Sequence, residues 1–220
     1  MSAYPSPPAV FYFARHGATD DNLRGVRCGG DLDVRLAALG RDQARTIAGQ
    51  ILATHPRVGL IISSALLRTR ETASIVSEAL EGAPIVIEPL LNERRLGDWN
   101  GQPIAATEAL LRADVTPPGG ESEAAFRSRI TLALEALVPW LSHQPLVIGS
   151  SGVGRVLHAL LGGKERLRLA NAEIVCFKID LERISLTKRR GPPKHSLVTA
   201  FATTEADRQH EVDGLEADRY

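Results

Sequence analysis

From Val10 onward, strand-length apolar runs alternate with stretches of helical periodicity. Val10-Phe11-Tyr12-Phe13-Ala14 is continuously apolar, with prolines upstream and Gly17 downstream, the pattern of a strand buried on both faces. Leu36, Leu39, Ala44, Ile47, Ala48, Ile51 and Leu52 then recur at the spacing of an amphipathic helix that Pro56 ends. Residues 58–62 read as a second buried strand. Ser63-Ser64 offers a natural N-cap to a helix running to about Leu80, with Leu66, Leu67, Ala73, Ile75 and Val76 on its apolar face. Ile85–Ile87 is a third short strand, followed by an irregular stretch over 89–103 and a short helix over Ile104–Arg112. Pro117-Pro118-Gly119-Gly120 breaks the chain before residues 121–141, predicted as the longest helix. Residues 146–148 form a fourth strand that enters Gly149-Ser150-Ser151-Gly152 and a helix over 153–161; residues 174–180, 184–187 and 197–202 read as later strands. This alternation predicts an α/β fold, a three-layer α/β/α sandwich with a mostly parallel central sheet. We expect one domain over residues 1–202 with a short lid at about 100–120, and a charged tail poor in apolar residues over 203–220.

Charge and cysteine content restrict the partners. The 220-residue chain carries 26 Lys and Arg against 26 Asp and Glu, so no global field draws it to nucleic acid or an anionic membrane. A small-molecule substrate is the better expectation. Cys28 and Cys176 lie far apart without metal-ligand spacing, which predicts neither a disulfide framework nor a zinc site and fits a cytoplasmic location. Residues 1–9 lack a basic segment and an apolar run of signal-peptide or membrane-span length. Self-association into a homodimer is left open, and Lys188-Arg189-Arg190 reads as a solvated turn.

The polar residues that follow the strands carry the chemistry. Arg15 and His16 close the first strand, Ser63, Ser64 and Arg68 follow the second, Glu93 follows the third, and Gly149-Ser150-Ser151-Gly152 follows the fourth. Open α/β sheets bind ligands at the carboxyl ends of their strands, so four separate segments converge on one edge. Arginine forks suit phosphate, which carries close to two negative charges. Backbone amides opening the helix after Gly152 add a further anion site. For Arg15-His16-Gly17 alone, a structural pairing at a strand end is the competing reading.

These motifs in order resemble the histidine phosphatase superfamily, also described as phosphoglycerate mutase-like. The opening pattern Arg-His-Gly-x-Thr-x-x-Asn is present as Arg15, His16, Gly17, Thr19 and Asn22. Asp33, Leu36, Gly40, Gln43 and Ala44 match the second block, and Ser63, Ser64, Leu67, Arg68, Thr72 and Ala73 match the third with one extra residue. Leu91, Glu93, Gly97, Trp99 and Gly101 match the Leu-x-Glu and Gly-x-Trp-x-Gly blocks, and Gly120, Glu121 and Ser122 the next.

The resemblance implies His16 as nucleophile through a phosphohistidine, Glu93 as general acid and base, and Arg15, Arg68 and Asn22 as phosphate ligands. It implies Thr19, Cys28 and Gly29 in the substrate loop, with Ser151 beside the phosphate and neither metal nor organic cofactor required. One position departs: where the family has a second pocket histidine, this chain has Ser150. The change is compatible with weakened turnover, with binding of phosphate compounds without turnover, with an introduced substitution, or with Ser150 acting as a helix cap. The short separation over residues 94–120 favours a phosphatase over a mutase. The apolar lid residues Ile104, Leu110, Leu111 and Val115 either meet a partly apolar substrate or pack the lid on the body. The expected partner is a small phosphorylated metabolite.

Overall fold

In the computed structural model the described residues are 9–54, 58–179 and the backbone of 198–200. The strands are β1 (Ala9–Arg15), β2 (Ile61–Ser63), β3 (Ile85–Ile87), β4 (Leu146–Gly149), β5 (Ile174–Ile179) and β6 (Val198–Ala200). They pair in the order β5-β1-β4-β2-β3-β6. The four inner strands run parallel, while β5 and β6 pair antiparallel at the two edges. The helices are α1 (Asp20–Arg24), α2 (Ala38–Thr54), α3 (Leu67–Ala79), α4 (Ile104–Arg112), α5 (Glu123–Leu137) and α6 (Ser151–Leu160).

Alternation along the strands sorts the core into two layers, because successive side chains leave a strand on opposite faces. Phe11, Phe13, Ile62 and Val147 point to one face, where Phe126, Ile130 and Leu134 of α5 and Val153, Val156 and Leu157 of α6 cover them. Ala14, Ile61, Leu146 and Ile148 point to the other, against Ile47 and Ile51 of α2 and Ala73 and Val76 of α3. Helices therefore cover both faces, as the alternation predicts.

Several boundaries differ from the sequence expectation, each for a tertiary reason. β2 starts at Ile61 and not at residue 58, since its ladder with β4 begins at Ile61 opposite Leu146 while the Gly59 amide bonds the His143 carbonyl. α2 starts at Ala38 and not at Leu36, because the Leu36 and Ala37 amides are held by the Glu71 carboxylate and the Ala18 carbonyl. Ser63 and Ser64 do not cap α3. Ser63 lies in β2, the Ser64 hydroxyl pairs with Thr69 Oγ1, and the Leu67 amide is capped by Asp33 from another segment. The helix expected over 121–141 covers only Glu123–Leu137, capped by the Ser122 hydroxyl. Pro139 lacks the amide that would continue it, and Val138–His143 tightens into a 3₁₀ turn. α2, at 17 residues, is thus longer than α5 at 15. α6 starts at Ser151, two residues earlier than expected. The expected strand over 184–187, the Lys188-Arg189-Arg190 turn, Pro56 and the tail over 203–220 lie outside the described residues.

The register brings the strand ends level. Arg15 pairs with Gly149, and Ser63 lies between Ile148 and Ile87. The chain leaves β1 toward α2 on one face and β4 toward α6 on the other, which opens a crevice at the tips of these adjacent strands.

Candidate active site

His16 follows the last residue of β1, its amide bonded to the Gly149 carbonyl at 2.9 Å. The loop beyond it is fastened at several points. The Gly17 amide bonds Thr72 Oγ1 at 3.2 Å and the Ala18 amide bonds Gln43 Oε1 at 2.8 Å. Gly17 also packs against the backbone of Gly40 so closely that a Cβ would strike the Gly40 carbonyl. The motif residues Gly17, Gly40, Gln43 and Thr72 thus seat the histidine loop on α2 and α3. Thr19 caps α1 in a reciprocal box with Asn22, a supporting role and not a contact in the cavity.

The imidazole of His16 is 3% exposed, and its Nδ1 lies 2.7 Å from the Gly17 carbonyl. A carbonyl only accepts, so Nδ1 carries the proton and Nε2 keeps its lone pair. Burial, reinforced by the Arg68 and Arg15 charges, holds the ring well below its ordinary value of 6.5, against the smaller opposing effect of the Gly17 carbonyl. The folded chain therefore binds fewer protons than the unfolded one below about pH 6.5, so this group contributes stability above that pH and loses it as pH falls. We expect the ¹⁵N shifts of the His16 ring to stay in the neutral pattern at pH 6, where an ordinary histidine is largely charged. A ring that titrates near 6.5 would contradict the assignment.

Arg15 donates from Nη1 to the Leu169 carbonyl at 2.8 Å, and burial lowers its pKa. Asn22 Oδ1 accepts from the Thr19 amide and from Asn171 Nδ2, which leaves the Asn22 amide group as a donor. Asn171 also donates to the His16 carbonyl at 3.0 Å. Arg68 is 1% exposed, and its two Nη atoms bond the carbonyls of Leu32 and Gly29. Its charge lies close enough to depress the His16 pKa, while its fork is engaged by backbone.

Glu93 is held between two amides. Its Oε1 accepts from Arg94 N at 2.7 Å and its Oε2 from Gly152 N at 2.9 Å. A Cβ at Gly152 would push the Glu93 carboxylate out of this position. Arg129 of α5 anchors the same loop, donating to the carbonyls of Leu90, Asn92 and Glu93 and as a bidentate fork to Glu121. Asp31 ties the adjoining turn, accepting from the Leu96 and Gly97 amides and Asn100 Nδ2. Its burial raises the carboxyl pKa, but these hydrogen bonds outweigh that and lower it overall.

A cavity of about 350 Å³ opens at these strand tips, and Arg15, Asn22, Cys28, Glu93 and Ser151 line it. His16, Arg68 and Ser150 lie buried behind this lining. Gly29 packs behind it as well, its carbonyl on Arg68 and its amide on Asn100 Oδ1. The Cys28 thiol, pushed up to about 11 chiefly by burial, with Arg68 opposing and Asp21 adding to the rise, stays protonated and is no nucleophile at neutral pH. Ser150 occupies the N-cap position of α6 but makes no side-chain cap bond. Its hydroxyl and Arg15 Nε are both buried donors without a hydrogen-bond partner among the described residues. Among the described residues no cluster of His, Cys, Asp and Glu fits a metal ion, and no helix is long and apolar enough to cross a membrane.

Sequence reasoning missed Arg129, Asp31 and Asn171. Their roles come from partners far along the chain, and no local motif marks them.

A mostly parallel sheet thus gathers arginine, histidine and carboxylate side chains at its strand tips. The histidine phosphatase superfamily (branch 1) matches residues 11–190, and the chain belongs to it. A glucosyl-3-phosphoglycerate phosphatase of Mycolicibacterium vanbaalenii is 36% identical over 166 residues, covering 67% of this chain and 72% of that protein. A probable phosphatase of Schizosaccharomyces pombe is 34% identical over 119 residues, 54% of this chain; the match spans only 56% of that relative's length. Among solved structures, a mycobacterial glucosyl-3-phosphoglycerate phosphatase in complex with VO3 superposes with a TM-score of 0.65 at 30% identity, covering 76% of this chain and 92% of that one. The phosphoglycerate mutase-like fold expected from the motifs is thus confirmed.

Proposed function

We propose that this chain hydrolyses a small-molecule phosphomonoester through a phosphohistidine on His16. The observation that carries the reading is the pair of unpartnered buried donors, Arg15 Nε and Ser150 Oγ, at neighbouring strand tips beside a neutral imidazole. A buried donor without an acceptor costs about 1–3 kcal/mol, and phosphoryl oxygens are acceptors that relieve that cost. The phosphatase relatives point to the same chemistry.

In the first step the Nε2 lone pair attacks phosphorus, the bond to the leaving oxygen breaks, and Glu93 gives that oxygen its proton. Arg15, the Asn22 amide and the Ser150 hydroxyl hold the equatorial oxygens, with the Arg68 charge close behind. In the second step the Glu93 carboxylate takes a proton from water as it attacks the phosphohistidine, releasing phosphate and restoring His16. The test is to quench turnover of 4-nitrophenyl phosphate in alkali, which spares phosphohistidine, and to locate phosphate by mass. Phosphate on the tryptic peptide bearing His16 is the expected result. Turnover with the label elsewhere, or no release from a broad panel of esters, would sink the reading.

On the motif resemblance, Ser150 takes the place of a second pocket histidine, and on that reading the pocket has one cation fewer for the transferring group. A hydrogen bond to a charged group contributes about 1.5–3 kcal/mol, and about 1.36 kcal/mol is tenfold in rate. Ser150→His is therefore expected to raise kcat by about 10- to 100-fold on 4-nitrophenyl phosphate. An unchanged kcat in a variant with an unchanged melting temperature would show that residue 150 does not face the phosphoryl group.

A further inference from the structure

Besides Arg15, the cavity is lined by arginines from three separate segments: Arg27 before Cys28, Arg155 on α6, and Arg166 and Arg168 on the stretch that leads to β5. Few carboxylates balance them. Glu108 of α4 is shared by Arg27 at 2.8 Å, Arg112 at 2.9 Å and Arg168 at 3.6 Å. Glu123 of α5 is shared by Arg155 at 2.8 Å and Arg94 at 3.0 Å. Arg166 has no hydrogen bond or ion pair among the described residues. Burial and the charges of Arg155, Arg112 and Arg168 disfavour its protonated form, with Glu108 opposing. Two carboxylates thus face six guanidiniums. Lys164 and Glu165, which line a separate depression behind Arg166, offset one another.

A lone exposed arginine needs no partner beyond water. Convergence is what sets this group apart, because arginines from three segments line the same cavity as Arg15 and Glu93, together with apolar Val26, Ile104 and Leu167. Such an excess of guanidinium around a concave surface attracts and orients an anion.

We propose that Arg155, Arg166 and Arg168 form a second anion subsite, so that the substrate of this chain is a phosphomonoester carrying a further anionic group, a carboxylate or a second phosphate, at its far end. The inference rests on the phosphatase reading for its first phosphate and adds the class of molecule attached to it.

Two matched pairs test it by kcat/KM: glycerol 1-phosphate against 3-phosphoglycerate for a carboxylate, and fructose 6-phosphate against fructose 1,6-bisphosphate for a phosphate. The member with the added anion is expected to lead by about tenfold or more in at least one pair, the size of one charged hydrogen bond, and that pair identifies the group. In the Arg166→Ala/Arg168→Ala double variant the ratio within the pair is expected to collapse toward one. Equal constants in both pairs, or a variant that lowers both members of a pair alike, would overturn the subsite while leaving the phosphatase reading intact. If none of the four turns over, the ester panel described above decides the catalytic reading separately. Calorimetric titration of the same four compounds into His16→Ala then decides the subsite: tighter binding of the added-anion member, lost on adding the two arginine changes, supports it, and equal binding overturns it.

Discussion

Replacing His16 by alanine is expected to reduce phosphate release from 4-nitrophenyl phosphate by about 10⁴-fold or more, the scale on which losing a covalent nucleophile is felt. The size follows from how the ring is held. Nδ1 is committed to the Gly17 carbonyl, the backbone amide to Gly149, and the backbone carbonyl to Asn171, so Nε2 is the one position left for chemistry. No neighbouring side chain can stand in for it. The Cys28 thiol stays protonated, and Ser150 has no side-chain base bonded to it. The alanine chain is expected to fold, because the Gly17 and Ala18 amides are still bonded to Thr72 and Gln43. A steady-state assay beside a melting curve checks both halves. Residual turnover above about one hundredth of the parent, in a folded variant, would move the nucleophile elsewhere.

Glu93→Gln is the second large effect, and it depends on the leaving group. General acid catalysis is worth about 10²–10⁴-fold when the departing oxygen is a poor leaving group. With glycerol 1-phosphate that full range is expected to be lost. With 4-nitrophenyl phosphate, whose phenolate departs without a proton, the loss in the first step is far smaller. Each Glu93 oxygen already receives one backbone hydrogen bond and keeps one lone pair free, so the carboxyl is oriented without being saturated. A glutamine keeps one of those acceptors and turns an N–H toward the other amide. Comparing kcat/KM for the two esters separates loss of the acid from this local disturbance, because a structural defect lowers both esters equally. Equal losses would therefore remove Glu93 from the proton-transfer role.

The sequence reads well wherever a property is carried by neighbours in the chain. The all-apolar run into Arg15 and His16 announces a buried strand that ends on reactive residues, and the strand-helix alternation announces the layered sheet around it. Glu93 was placed through its motif, and the cavity holds it with Arg15 and Asn22. What local pattern did not reveal depends on contacts made across the fold. Arg129 looks like any polar position on α5, yet it fastens the Glu93 loop through three carbonyls. Asn171 sits in an unremarked turn before β5 and reaches Asn22 and His16, 149 and 155 residues earlier. Arg27, Arg155, Arg166 and Arg168 belong to no local motif, and only the folded chain brings them to one cavity.

The start of α3 carries a consequence for how the pocket comes into being. Its first amide is capped by Asp33 instead of a neighbouring serine, and its second residue, Arg68, reaches back to the carbonyls of Leu32 and Gly29. Helix and loop each supply what the other lacks, so neither is complete alone. The same three bonds thus tie the first turn of α3, the Gly29–Asp33 stretch and the cation beside His16 into one unit.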